Sequence, residues 1–181
     1  MKVFGIGLPK TGNHSLTEAM GLLGYSVKNF PESDEEIDRN EFTCGNPIVA
    51  QYPNLDLKYP GSRFVIMQRD DASWLRSIRA HMDRKPLETL RPSRRAMRLE
   101  LYGTLNPTDT ELLRHKHVHE ADVRRYFDGR PSDLLYFDIV GGDGWERLCP
   151  FLNRPVLGRT FPKRNVTADI AAGRGGARLA P

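Results

Sequence analysis

Short apolar runs and helix-spaced apolar stripes alternate along this chain. Residues 2–6 form a brief, mostly apolar run closed by Gly7, the pattern of a strand buried on both faces of a parallel sheet. Leu16, Ala19, Met20 and Leu23 then recur at helical spacing, and Gly24 stands where a left-handed C-terminal cap belongs. A second short strand is expected over 25–29, followed from Pro31 by an acidic run that reads as a solvated helix or loop. The stretch 46–61 predicts an interrupted helix ending near Pro60 and Gly61. It leads into a buried strand that ends at Arg69. A helix over 71–82 follows, with Leu75, Ile78 and Met82 inward and Asp70 or Asp71 as its cap. Residues 84–98 are densely basic and hold two prolines, so they read as a mobile connector, a lid over an anionic site or a solvated basic surface. A long helix over 109–127, a strand at 134–139 and a helix over 144–152 complete the pattern. Strands alternating with helices imply an α/β fold with a central, mainly parallel sheet, whose ligand lies at the C-terminal strand ends.

Length and composition narrow this little. The 181 residues suit one domain, expected over 1–167, with 168–181 as a mobile tail lacking any apolar period. The 27 Lys and Arg leave a net charge of +4 and are scattered, which a small polyanion explains as well as a nucleic acid would. Cys44 and Cys149 form neither a C-x-x-C pair nor a secreted disulfide framework. With no basic leader and no window approaching a membrane span, the expectation is a cytoplasmic protein without membrane or nucleic-acid partners.

The chemistry concentrates in "GLPKTGNHSL", residues 7–16, between the first strand and the first helix. Such a loop presents free backbone N–H groups and the positive end of a helix dipole, a seat for phosphate or sulfate. Gly7 and Gly12 permit the close turn from Pro9 onward, and Lys10 adds a full charge. Thr11, Asn13 and Ser15 are candidate donors to the anion's oxygens. A kinase P-loop places lysine directly after its second glycine and then a hydroxyl for magnesium. Here Asn13 and His14 follow Gly12, and the lysine precedes it.

The order P-K-T-G resembles the 5′-phosphosulfate loop of the sulfotransferase family, which uses 3′-phosphoadenosine 5′-phosphosulfate (PAPS). That family holds the donor's 3′-phosphate with an arginine at a strand end and a serine eight positions later, matched here by Arg69 and Ser77 in "RDDASWLRS". A guanidinium gripping phosphate with parallel hydrogen bonds, joined by a hydroxyl, is sound chemistry for the task. "YPGSRFVIMQRD", "HEADVRRYF" and "FPKRN" extend the resemblance to the small bacterial-type branch over most of the chain. It implies a P-loop-like three-layer fold and sulfuryl transfer from PAPS to a hydroxyl or amine of a small molecule, with no metal.

The resemblance also implies an acid shortly before "YPGS", where branch relatives carry Asp-x-Pro; Gly45-Asn46-Pro47 stands there instead. His14, inside the loop, is a candidate base or extra donor beside Lys10. His81, one turn beyond Ser77, and His119, on the long helix's apolar stripe, are candidates for the acceptor pocket. His115, His117 and His119 do not complete a metal-ligand pattern. A P-loop small-molecule kinase and a nucleotide-binding relative without catalysis are the alternative readings.

Overall fold

A computed structural model describes residues 1–164. The expected tail at 168–181 and the last three residues of the expected domain lie outside the described residues. Five strands form one sheet: β1 (Val3–Gly5), β2 (Val27–Asn29), β3 (Phe42–Cys44), β4 (Arg63–Met67) and β5 (Leu134–Phe137). Their order is β2-β3-β1-β4-β5, and every pairing is parallel. Seven helices connect them: α1 (Asn13–Leu22), α2 (Asp34–Arg39), α3 (Asn46–Lys58), α4 (Asp71–Asp83), α5 (Pro92–Tyr102), α6 (Asp109–Tyr126) and α7 (Trp145–Phe151).

Period-2 alternation divides the sheet's two faces. Val3, Val65 and Met67 pack with Leu16 and Met20 of α1 and Trp145 and Leu148 of α7. Phe4, Ile6, Phe64 and Ile66 pack on the other face with Ile48, Tyr52 and Leu55 of α3 and Val123 and Phe127 beside α6. The result is the expected three-layer, P-loop-like arrangement, fully parallel among the described strands. β1 lies at its centre, paired to β3 on one side and β4 on the other. After β1 the chain winds first toward β3 and later toward β4, so a crevice opens above β1, the usual ligand position in such sheets.

Three elements differ from the sequence expectation. β3 was not expected, because three residues behind an acidic run show no periodicity. α3 runs without interruption through Pro53. The basic segment 84–98 is ordered as a 3₁₀ turn at Leu87–Thr89 followed by α5, closed by Gly103 in the left-handed conformation. A third apolar cluster explains that order: Leu101 and Tyr102 pack with Trp74, Ile78 and Met82 of α4 and Leu112 of α6. α5 is thus a lid anchored at its C-terminal end above the strand ends.

α6 is tied to α4 through a buried cation. Lys116 is buried, and its Nζ lies 2.8 Å from Asp71 and 2.9 Å from Glu120. Burial alone would lower its pKa, but the two carboxylates outweigh that and raise it. The two cysteines are free and fully buried, and burial pushes the Cys44 thiol up to about 12.

Gly7 leaves the sheet where only a hydrogen fits. A Cβ there would lie 2.8 Å from both the Met67 carbonyl oxygen and Met67 Cβ, and 2.7 Å from Thr11 Oγ1. Gly7→Ala is therefore expected to destabilise the protein by ~1–3 kcal/mol, the usual range for overpacking, measured by urea denaturation.

Candidate functional site

Residues 7–12 turn from β1 into α1 with their carbonyls drawn away from the crevice. The Thr11 hydroxyl donates to the Leu8 carbonyl at 2.7 Å. The indole N–H of Trp74 donates to the Pro9 carbonyl at 2.9 Å. Arg69 Nη1 donates to the Lys10 carbonyl at 3.0 Å, while its Nε donates to Ser73 Oγ at 2.6 Å. Lys10 at φ 72° and Gly12 at φ 122° complete the reversal. Because α1 starts at Asn13, the N–H groups of Asn13, His14 and Ser15 have no intrahelical acceptor. No backbone or side-chain acceptor among the described residues takes them. A loop with three carbonyls tied back, leading into a helix start with free N–H groups, is an anion nest.

A cavity of about 990 Å³ opens over this nest. The loop supplies Lys10, and α4 with its flanks supplies Arg69, Arg76, Arg84 and Lys85. The lid adds Arg94 and Arg98, and the C-terminal segment adds Lys163 and Arg164. Nine Lys and Arg thus face one cavity, and its lining holds no Asp or Glu among the described residues. Arg164 pairs with Glu18, and its N–H donates to Ser15 Oγ at 2.9 Å. None of the other eight cations lies within ion-pair distance of a described carboxylate. Burial and then the nearby Arg84, Arg69 and Lys85 lower the Lys10 pKa. Burial, with Arg76 adding to it and Asp70 opposing, lowers that of Arg69.

Both cavity histidines are held neutral near pH 7. His14 is shifted down by desolvation and by Lys10. Its Nδ1 lies 3.1 Å from the Asn29 amide nitrogen; with that nitrogen donating, the neutral ring carries its proton on Nε2. His81 is pushed down to about 4, first by burial and then by Lys85, Lys10, Arg84 and Arg98.

Of the residues singled out in the sequence, Pro9, Lys10, Gly12, Asn13, His14, Ser15, Arg69, Ser77 and His81 all line this cavity. Thr11 does not: its side chain is buried and its hydroxyl braces the loop from within. His119 does not either, since its Nε2 donates to the Ile6 carbonyl at 2.8 Å beneath the site, where the ring also meets Tyr52 edge-on. An apolar helical stripe faces the sheet, which is why that histidine points into the core. His115 and His117 diverge from it, toward Tyr102 and Asp71. Among the described residues no group of His, Cys, Asp and Glu could hold a metal ion, and no helix is long and apolar enough to cross a membrane.

Gly45 has φ 104°, and a Cβ there would come within 2.6 Å of the Phe30 ring. The local backbone is therefore shaped around glycine, not around an acid. Residues that sequence reasoning missed include Ser73 and Arg76 on α4 and Arg94, Met97 and Arg98 on α5. The four-residue spacing Ser73, Ser77, His81, Lys85 was a readable signal for one wall, as was Arg94, Met97, Arg98, Leu101 for the lid.

Fold and cavity together define a P-loop-like α/β protein with a strongly anion-attracting site. A family model described as a sulfotransferase domain matches residues 31–170, and the chain belongs to the sulfotransferase family. The matched span holds Arg69, Ser77, His81 and the lid; the loop at 7–12 precedes it. No curated protein matches the chain.

The cationic field on His81 has a measurable signature. A histidine that titrates near 6.5 in the unfolded chain and near 4 in the folded one costs stability as pH falls through that interval. His81→Gln is expected to flatten the decline in unfolding free energy between pH 6.5 and 4. In the native protein, NMR titration should place the His81 midpoint near 4, and saturating pyrophosphate should raise it by about one unit or more by offsetting Lys10, Arg84 and Lys85.

Proposed function

We propose that this chain transfers a sulfuryl group from PAPS to a hydroxyl or amine of a small molecule. The observation that supports it most is the cationic cavity, lined by no carboxylate among the described residues, laid over the free N–H groups at the start of α1. A donor of this kind presents a phosphosulfate and a separate phosphate, and the residues fit both groups. The N–H groups at the start of α1, with Lys10, would hold the phosphosulfate. Arg69, already oriented by the Lys10 carbonyl and Ser73, keeps its Nη2 uncommitted for the 3′-phosphate, with Ser77 beside it on α4. In the reaction the acceptor's oxygen or nitrogen bonds to sulfur as the bond from sulfur to the bridging oxygen breaks, and the nucleotide departs with that electron pair.

Three groups of the chain serve this exchange. Lys10 stabilises the charge that grows on the bridging oxygen, from a partly desolvated position where such stabilisation is strongest. His14, protonated on Nε2, donates to the sulfuryl oxygens. His81 is the neutral lining group able to take the acceptor's proton, with no carboxylate competing for it. Once a polyanion neutralises the surrounding cations, His81 becomes a stronger base than in the free protein. The free, buried cysteines support an assignment to the reducing cytoplasm.

A magnesium-dependent kinase would need metal-binding oxygens beside the loop, and among the described residues the lining offers no acid for that role. Calorimetric titration with adenosine 3′,5′-bisphosphate, with ATP and magnesium as the control, tests the donor directly. Selective binding of the bisphosphate is expected; preference for ATP would replace this reading with the kinase. Binding without turnover across an acceptor panel would mark a non-catalytic relative.

Two variants separate the roles. Lys10→Ala is expected to lower kcat by about 100-fold or more while changing bisphosphate affinity only a few-fold. Arg69→Ala is expected to weaken that affinity by about 10-fold or more, the loss of a charge-assisted hydrogen bond to phosphate. Equal effects on both constants in both variants would refute the division.

A further inference from the structure

The lid side of the cavity is more positive than the donor requires. PAPS carries about four negative charges, up to two on its 3′-phosphate and two along the phosphosulfate. The loop side meets these with Lys10, Arg69 and Arg76, together with the free N–H groups and the hydroxyls of Ser73 and Ser77. Arg94 and Arg98 remain on the lid, with Arg84 and Lys85, which also act on Lys10, between the lid and the loop; none is paired with a described carboxylate. They are close enough to act on one another, since Arg94 and Arg84 both lower the Lys85 pKa, after burial. Protein surfaces ordinarily intersperse such charges with the opposite sign. Here the lining supplies none.

Two of these cations are aimed by contacts that leave donors uncommitted. Arg98 is held by one hydrogen bond, Nη1 to the Leu105 carbonyl at 3.1 Å. Arg94 stacks with its guanidinium carbon 5.5 Å from the Phe30 ring centroid. Phe30, Met97 and Leu101 supply apolar surface around them. Asn46, whose amide contacts the Met97 sulfur, leaves its buried Oδ1 without a partner, a polar atom awaiting a donor beside the same wall. His81 feels Lys10 of the loop, Lys85 and Arg84 after α4 and Arg98 of the lid, so it stands among the charges of both walls.

We propose that the acceptor is itself an anion: a molecule with an apolar body, a hydroxyl or amine to be sulfated, and a separate negatively charged group seated by Lys85, Arg94 and Arg98. This rests on the reading of the loop side as the donor's seat. The acceptor's reactive end then lies toward Lys10 and His81, and its charged end lies under the lid.

A matched pair of probes tests this. 4-Hydroxyphenylacetate and its neutral amide differ in one charge and share shape and hydroxyl. Each is titrated by NMR into the wild-type protein and into the double variant Arg94→Gln/Arg98→Gln, with and without saturating adenosine 3′,5′-bisphosphate. The acid is expected to bind wild type about 10-fold more tightly than the amide, with the preference lost in the double variant. Bisphosphate affinity should change less than about threefold between the two proteins. Equal binding of acid and amide, or binding of neither, would overturn the proposal. So would a fall in bisphosphate affinity as large as that for the acid, since the lid would then serve the donor. The titrations without nucleotide read the lid's preference on their own, so failure of the bisphosphate to bind wild type would count against the donor alone. Lys85→Gln, outside the lid helix, gives the same comparison if the double variant loses helix by circular dichroism.

Discussion

Everything at the site depends on where three carbonyl groups point. The oxygens of Leu8, Pro9 and Lys10 are taken by Thr11, Trp74 and Arg69, so they are kept from the crevice that the free N–H groups of Asn13, His14 and Ser15 face. Two of the three donors come from the β4 to α4 unit, and the register of β4 against β1 delivers them to the loop. The central strand pair therefore does more than fill the core: it sets the polarity of the loop. Trp74 and Arg69 couple loop shape to sheet geometry, and Trp74 belongs at the same time to the apolar cluster that seats the lid. Loop, the cations of α4 and lid form one mechanical unit.

Much of this was legible in the residues. β1, β4 and the helices after them announce themselves by buried runs and periodic stripes, and the Gly-rich lysine loop, Arg69 and Ser77 singled out together line one cavity. Other parts left weaker traces. β3 is too short to show a period. α5 hides because its inward face alternates Arg94 and Arg98 with Met97 and Leu101, a pattern in which charge masks amphipathicity. Its buried apolar packing comes mainly from Leu101 and Tyr102, so composition alone reads it as a solvated connector.

The side chains inside the loop show a different limit. Thr11 and Ser15 are both hydroxyl residues beside an expected anion, yet one braces the turn while the other lines the cavity and accepts from the Arg164 N–H. His81 and His119 look alike in sequence, each one step along a helix from a landmark. The cavity wall receives the first, and the β1 carbonyl edge receives the second. Residue type indicates what a group can do; only the backbone direction beneath it decides what it meets.

The two free thiols carry a separate consequence. Cys44 lies beside α1, in reach of Thr17 and Asn29, the residue that holds His14; Cys149 lies on α7 within the same apolar cluster. Neither is exposed, and burial keeps the Cys44 thiol protonated, so an alkylating reagent meets it only when the structure opens. Their labelling rates thus act as two independent clocks of local breathing, one set beside the loop and one remote from it, already written into the native chain without any introduced probe.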